Sequence, residues 1–241
     1  FKSGALRSSL SNTLKQWSIV DGKKLCHKSG KFFSIQGVRV KTNWGITREW
    51  EQPIINQSEI GFLGIITKKI DNIVHFLMQA KIEPGNINIV QLSPTLQATR
   101  SNYTQVHKGR KPQYIEYFNG EKQVTVCLDQ LQSEQGARFL RKRNRNIIVL
   151  IDESEDIEVN DNYIWLTLRQ IKELMCYDNI VNMDTRTVIS AIPFGDYTND
   201  NLKLVEAFTP LLDSEINKNS GSLLYSVLNT ENPLNKNIEI L

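Results

Sequence analysis

Cysteine, histidine and methionine are scarce, three of each in 241 residues, and that scarcity excludes several chemistries at once. Cys26, Cys127 and Cys176 stand far apart, with no C-x-x-C pair and no Cys/His ligand spacing. Neither a disulfide framework nor a structural zinc site is expected, and the thiols read as reduced. His27, His75 and His107 fall in separate segments without a second ligand at close spacing, so no metal site is expected. A glycine-rich phosphate loop, a G-x-S-x-G elbow and a dinucleotide fingerprint are all missing. No apolar run approaches the ~18 residues that cross a bilayer. The opening Phe1-Lys2-Ser3-Gly4 has neither an apolar signal core nor an initiator Met. The chain is therefore expected to begin inside a longer product, to be cytoplasmic and to have no membrane partner. A net charge of only +3 is too mild to indicate nucleic acid.

What remains is ordinary for a soluble domain, 40% hydrophobic and 23% charged residues. The length suits one fairly large module over residues 1–195 with a C-terminal helical extension over 196–241. Beyond Pro193-Phe194-Gly195, Asn, Asp and Lys dominate between apolar clusters. The fold class reads as α+β. Phe33, Ile35, Val38 and Val40 suggest a strand interrupted at Gly37, and 60–67, 114–118, 123–127 and 147–151 are further short strands. Two helices are expected. Leu128, Leu131, Phe139 and Leu140 mark one from Leu128 to about Lys142; Thr167 caps the second, which carries Leu168, Ile171, Leu174 and Met175.

The richest stretch is His75-Phe76-Leu77-Met78-Gln79-Ala80-Lys81-Ile82-Glu83 followed by Pro84-Gly85-Asn86. Alternation puts Phe76, Met78, Ala80 and Ile82 on one face and Gln79, Lys81 and Glu83 on the other, before turn chemistry. Val90 to Thr99 alternates again, with Gln91, Ser93, Thr95, Gln97 and Thr99 forming the polar row. Paired as a hairpin, the two runs would make a core face and a field of amides and hydroxyls around one Lys and one Glu. A polar face can simply be solvated. Successive neutral hydrogen-bonding groups, however, suit a hydroxyl-rich sugar, and Lys81 and Glu83 stand about 6.5–7 Å apart at the strand rise, close enough to tune each other.

Arg138, Arg141, Lys142, Arg143 and Arg145 form a basic run. It fits a helix C-terminus, a weak nucleic-acid contact or a clamp on a diphosphate. Leu131-Gln132-Ser133-Glu134-Gln135-Gly136 faintly echoes a Nudix box, yet only Glu134 remains of the paired carboxylates that would hold Mg²⁺.

Several ordered blocks carry a resemblance. They are Trp50-Glu51-Gln52-Pro53-Ile54-Ile55, Phe76 through Asn86, Gln91-Leu92-Ser93-Pro94-Thr95, Gln97-Ala98-Thr99-Arg100-Ser101-Asn102-Tyr103, Leu131 through Gly136, Lys142-Arg143-Asn144-Arg145-Asn146, Trp165-Leu166-Thr167-Leu168 and Val181-Asn182-Met183-Asp184-Thr185-Arg186-Thr187. From about Trp17 to Pro193 the chain resembles the NDP-hexose 2,3-dehydratases. That resemblance implies a Nudix-like mixed β-sheet module with packed helices and no functional Nudix box. It further implies a dTDP-linked 4-keto-6-deoxyhexose as substrate, a role in deoxysugar biosynthesis, and a product passed to a 3-ketoreductase. Family members usually carry two tandem copies of the module, whereas this chain has one, resembling the first; it is either an excised half or a single-module form that pairs with itself, and the self-paired homodimer is the expectation.

The reaction so implied needs no cofactor. It needs a base for the C3 proton, a donor to the C4 oxyanion and a proton source at C2. Glu83, or a Lys81 made neutral by burial, is the candidate base; Tyr103 is the candidate acid or oxyanion donor, with His107 in reserve. Gln79, Gln91, Ser93, Gln97 and Thr99 would orient the hexose, with Ser101 and Asn102 beside them. Arg143 and Arg145, with Arg100, would neutralise the diphosphate, and Trp50, beside Gln52, would stack on thymine. The alternatives are a non-catalytic nucleotide-sugar-binding module and a divergent Mg²⁺-dependent Nudix-type hydrolase.

Overall fold

A computed structural model describes residues 15–43, 45–57, 59–99, 111–192 and the backbone of 238–240. The chain divides into two compact units, one holding the residues up to Gln57 together with Gln135–Leu140 and the C-terminal strand, the other Ser58–Glu134 and Arg141–Thr198.

The first unit is an antiparallel sheet of β1 (Trp17–Val20), β2 (Lys24–His27), β3 (Ser34–Lys41), β4 (Glu49–Asn56) and β12 (Ile238–Ile240). β3 is unbroken: it pairs with β4 along its whole length, Gly37 opposite Pro53, with no register shift. The interruption expected at Gly37 is absent because the partner strand supplies its ladder. Ile238–Ile240 pairs with β3 as a strand; residues 196–237 of the segment expected to be helical lie outside the described residues.

The second unit is a mixed sheet with two helices, an α+β arrangement. Its strands are β5 (Gly61–Ile70), β6 (Ile73–Ile82), β7 (Val90–Ser93), β8 (Leu96–Ala98), β9 (Thr125–Ser133), β10 (Arg143–Leu150) and β11 (Tyr163–Thr167). The order is β11-β6-β5-β10-β9, with β7 on β6 and β8 on β5. β5 and β10 run parallel. Apolar layers cover both faces. One holds Phe62, Ile66, Leu77, Leu96, Ile147 and Val149 under Tyr114, Ile115, Tyr117 and Phe118. The other packs Leu63, Ile65, Phe76, Met78 and Ile148 against the helices α1 (Leu168–Leu174) and α2 (Met183–Ser190) through Ile171, Val188 and Ile189. Thr167 caps α1 as expected, in a full capping box with Gln170.

Three expectations are corrected. The segment from Leu128 to Lys142 is no helix; it completes β9, reverses, and leads into β10, whose antiparallel ladder with β9 runs from Thr125 to Ser133. The Leu128/Leu131 spacing mimics a helix, but pairing with β10 prevails over local propensity. Residues 114–118 form a 3₁₀ turn, Tyr114 entering in the left-handed region at φ 62°. Burial of Tyr114, Ile115, Tyr117 and Phe118 follows the two sides of a turn, where a strand would alternate. Finally, Val90 to Thr99 is two strands.

That division shapes the unit. β5 and β6 pair from Ile70↔Ile73 to Ile66↔Leu77. Beyond that point β6 pairs with β7 and β5 with β8. Thr95, 1% exposed, closes the fork: its Oγ1 accepts the Ile66 N–H at 2.9 Å and donates to the Leu77 carbonyl.

Candidate functional site

The polar rows meet beside this fork. β6 and β7 pair with Gln79 opposite Ser93 and Lys81 opposite Gln91, so the expected hairpin forms over its first half. Lys81 Nζ lies 3.5 Å from Glu83 Oε1. The same carboxylate oxygen accepts the Gln97 amide at 2.9 Å, although Gln97 stands on β8. Asn182 donates to Gln97 Oε1 at 3.4 Å and, through its own Oδ1, accepts the Thr185 N–H to cap α2. The chain before α2 is anchored to β7 by the Leu92 N–H to the Ile180 carbonyl, 2.8 Å, and the Asn182 N–H to the Leu92 carbonyl, 2.9 Å. Helix capping and sheet pairing thus bring the start of α2 to the Lys81–Glu83 pair.

Asp184 is the consequence. It occupies the first turn of α2. Burial, then the Glu134 and Glu83 carboxylates, push its carboxyl up to about 6 against the opposing pull of Lys81. Burial likewise lowers the Lys81 ammonium, opposed by Glu83 and Asp184. Glu134 Oε2 accepts from the Asn144 amide at 2.6 Å. Nearby Lys142 is buried, its ammonium bonded to the Glu59 carbonyl and its proton affinity lowered by that burial. The result is a charged and amide-rich cluster, Lys81, Glu83, Gln97, Glu134, Asn144, Asn182 and Asp184, within one unit. Among the described residues, no three His, Cys, Asp or Glu side chains are arranged to hold a metal ion.

The sign of the Asp184 shift gives a stability prediction. A carboxyl whose folded value is raised from 3.8 to about 6 favours folding most below pH 4, loses that contribution as pH rises through the interval, and leaves a constant penalty above it. Two pK units correspond to about 3 kcal/mol at most. Partial exposure and the helix dipole reduce this to about 1–2 kcal/mol. Asp184→Asn should therefore melt higher than wild type at pH 8, with the advantage disappearing near pH 4; thermal unfolding at both pH values checks it.

The other expected site residues are placed as follows. Gln79 is half-buried on β6, and Gln91 donates to Asn88 Oδ1 at 3.2 Å. Ser93 is fully buried and donates to the Pro94 carbonyl, so it works as a structural hydroxyl. Thr99 follows β8. Arg143 and Arg145 alternate with Asn144 and Asn146 on β10 and so lie on its opposite face. Arg145 is gripped by both Asp129 oxygens and lies over the Phe62 ring. Trp50 and Gln52 belong to the first unit, where the indole N–H donates to Gln52 and Gln52 donates to the Ala137 carbonyl. Arg100, Ser101, Asn102, Tyr103 and His107 lie outside the described residues. Asp184 and Asn182 were absent from the expected site, and the helix they open, Met183–Ser190, was not among the expected helices.

An open cavity of about 580 Å³ lies elsewhere in this unit, lined by Lys69, Gln123, Thr125, Asp152 and Glu155 among others. Two of its three carboxylates are held by neighbours, Asp152 by Ser154 and Glu155 by Lys122 and Tyr117, and neither is raised as Asp184 is, so the Glu83–Asp184 cluster is the better candidate for proton chemistry.

The model of a family described as NDP-hexose 2,3-dehydratase matches residues 5–192. A dTDP-4-dehydro-6-deoxy-α-D-glucopyranose 2,3-dehydratase of Saccharopolyspora spinosa is 53% identical over 76% of this chain and 37% of its own length. Proteins of the same name from Amycolatopsis orientalis and Streptomyces violaceoruber are 51% and 48% identical over 72% and 69% of this chain, each matched over 38% of its own length. The chain thus spans well under half of each relative's length. Similar solved structures include an ADP compounds hydrolase, TM-score 0.42 at 11% identity over 74% of this chain and 94% of the other. Another is the Mycobacterium smegmatis Nudix hydrolase RenU, TM-score 0.35 at 14% identity over 65% and 97%.

Proposed function

The chain belongs to the NDP-hexose 2,3-dehydratase family, and from that premise we propose that it removes the C2 hydroxyl from a dTDP-linked 4-keto-6-deoxyhexose. The observation that carries the reading is Glu83, a carboxylate fixed by an ammonium and an amide from two different strands. The C4 ketone acidifies the C3 proton, and the C2 hydroxyl lies β to that ketone. Glu83 takes the C3 proton, giving a C3–C4 enolate. Lys81 holds that carboxylate and supplies positive charge beside the developing oxyanion. The enolate re-forms the ketone as the C2–O bond breaks, leaving a C2–C3 enol that relaxes to the 3,4-diketo-2,6-dideoxy sugar.

Gln79, Gln91, Gln97 and Asn182 supply amides for the hexose hydroxyls. Tyr103 and His107 are proposed donors to the C4 oxygen, and Arg100 a proposed contact for the diphosphate; Arg143, on the far face of β10, is not given that role. A second copy of the chain is proposed to stand where the relatives carry further sequence. Sedimentation as a dimer is the expected result, and a monomer at assay concentration contradicts it. A 3-ketoreductase is proposed to consume the product.

The test is to incubate the full chain with the dTDP-4-keto sugar in D₂O, with and without EDTA. The expected outcome is loss of one water and deuterium at C2, unaffected by EDTA. Binding without conversion would point to a silent sugar-nucleotide module, and EDTA-sensitive release of thymidine monophosphate to a hydrolase.

A further inference from the structure

Asp184 is a carboxyl with no assigned task. It is half-buried in the first turn of α2, two residues after Asn182, which donates to Gln97 Oε1 while the Gln97 amide donates to Glu83. Burial and the Glu134 and Glu83 carboxylates push its carboxyl up to about 6 against the pull of Lys81. Beside it, α2 packs on the face of β10 that carries Asn144, Asn146 and Ile148. There the fully buried Asn146 leaves its Oδ1 without a partner among the described residues. Structural carboxylates in such settings are normally tied to donors. Here the ammonium whose charge acts on it, Lys81, is paired with Glu83.

We propose that Asp184 is the catalytic acid that protonates the hydroxyl leaving C2. The assignment rests on the dehydratase reading above. In the step, the Asp184 O–H bond breaks and its proton joins the C2 oxygen. The C2–O pair departs with that oxygen as water, and the enolate electrons form the C2–C3 double bond. Asp184 is left as a carboxylate whose charge the Lys81 ammonium offsets, and it regains a proton from solvent or from Glu83, which received one from C3. Burial and the two flanking carboxylates, which hold the group protonated to about pH 6, suit this role. A sugar displacing the remaining water would raise it further.

Asp184→Asn keeps the shape of the side chain and removes the acid. The experiment compares the full-chain wild type and this variant on two substrates, the 4-keto sugar and its 2-deoxy-2-fluoro analogue, whose fluoride leaves without a proton. Loss of C3 deuterium to solvent is followed alongside. The variant should lose about 10²–10⁴-fold in turnover on the hydroxyl substrate, still exchange C3 deuterium, and release fluoride within about threefold of wild type. Equal losses on both substrates, or none on either, with an active wild type would overturn the assignment. A wild type inert toward both would remove the dehydratase reading and this assignment with it.

Discussion

Glu83→Gln is expected to lower kcat by about 10²–10⁴-fold, the usual loss when a general base is removed, with KM little changed. The amide occupies the same volume, and its oxygen can still accept the Gln97 N–H that now reaches Glu83 at 2.9 Å. What disappears is the charge that Lys81 faces at 3.5 Å and the lone pair that takes the C3 proton. The decisive readout is hydrogen exchange. Glu83→Gln should stop exchange of the C3 deuteron, whereas Asp184→Asn should leave it running, because deprotonation precedes departure of the hydroxyl. A Glu83→Gln enzyme with near-normal turnover would mean that the base lies elsewhere, with the lowered Lys81 the next candidate.

Thr95→Val is expected to destabilise the protein by about 2–5 kcal/mol. The valine fills the same space, so packing is kept, but Oγ1 now bridges the Ile66 N–H and the Leu77 carbonyl where β5 and β6 part. Removing it strands both groups in a site that is 1% exposed, and each unpaired buried group costs about 1–3 kcal/mol. Because the same residue sets the divergence of β7 from β8, the variant should also weaken substrate binding through Gln91 and Gln97. Urea unfolding checks the stability, and a change below about 0.5 kcal/mol, the level of an ordinary surface substitution, would show that the fork does not depend on this hydroxyl.

Alternation brought Lys81 and Glu83 together on one side of the strand, but the apolar row expected opposite them is core only at Phe76 and Met78. Ala80 and Ile82 are exposed, because β6 has left β5 by then and no layer among the described residues covers that face. Thr167 and Gln170 spell a capping box within four residues. The fork at Thr95 was not readable. One continuous alternating run, Val90 to Thr99, looks the same whether it pairs with one strand or two, and the choice depends on β5 and β6 separating. The helix expected over Leu128 to Lys142 failed for a related reason: β10 offered a ladder that the local spacing does not reveal. Asp184 escaped notice because the helix it opens, Met183–Ser190, was not expected: Met183, Val188 and Ile189 are too few apolar positions over eight residues to announce one. Its raised proton affinity comes from Glu134 and Glu83, distant in sequence.

The most direct test of the whole account is a structure of the full chain with dTDP-glucose, whose C4 hydroxyl prevents reaction. The hexose should lie over Lys81, with its C2 oxygen within hydrogen-bond reach, roughly 2.6–3.2 Å, of the Asp184 carboxyl and its C3 hydrogen directed at Glu83. A sugar bound elsewhere, with the Glu83–Asp184 cluster open to water, would contradict it.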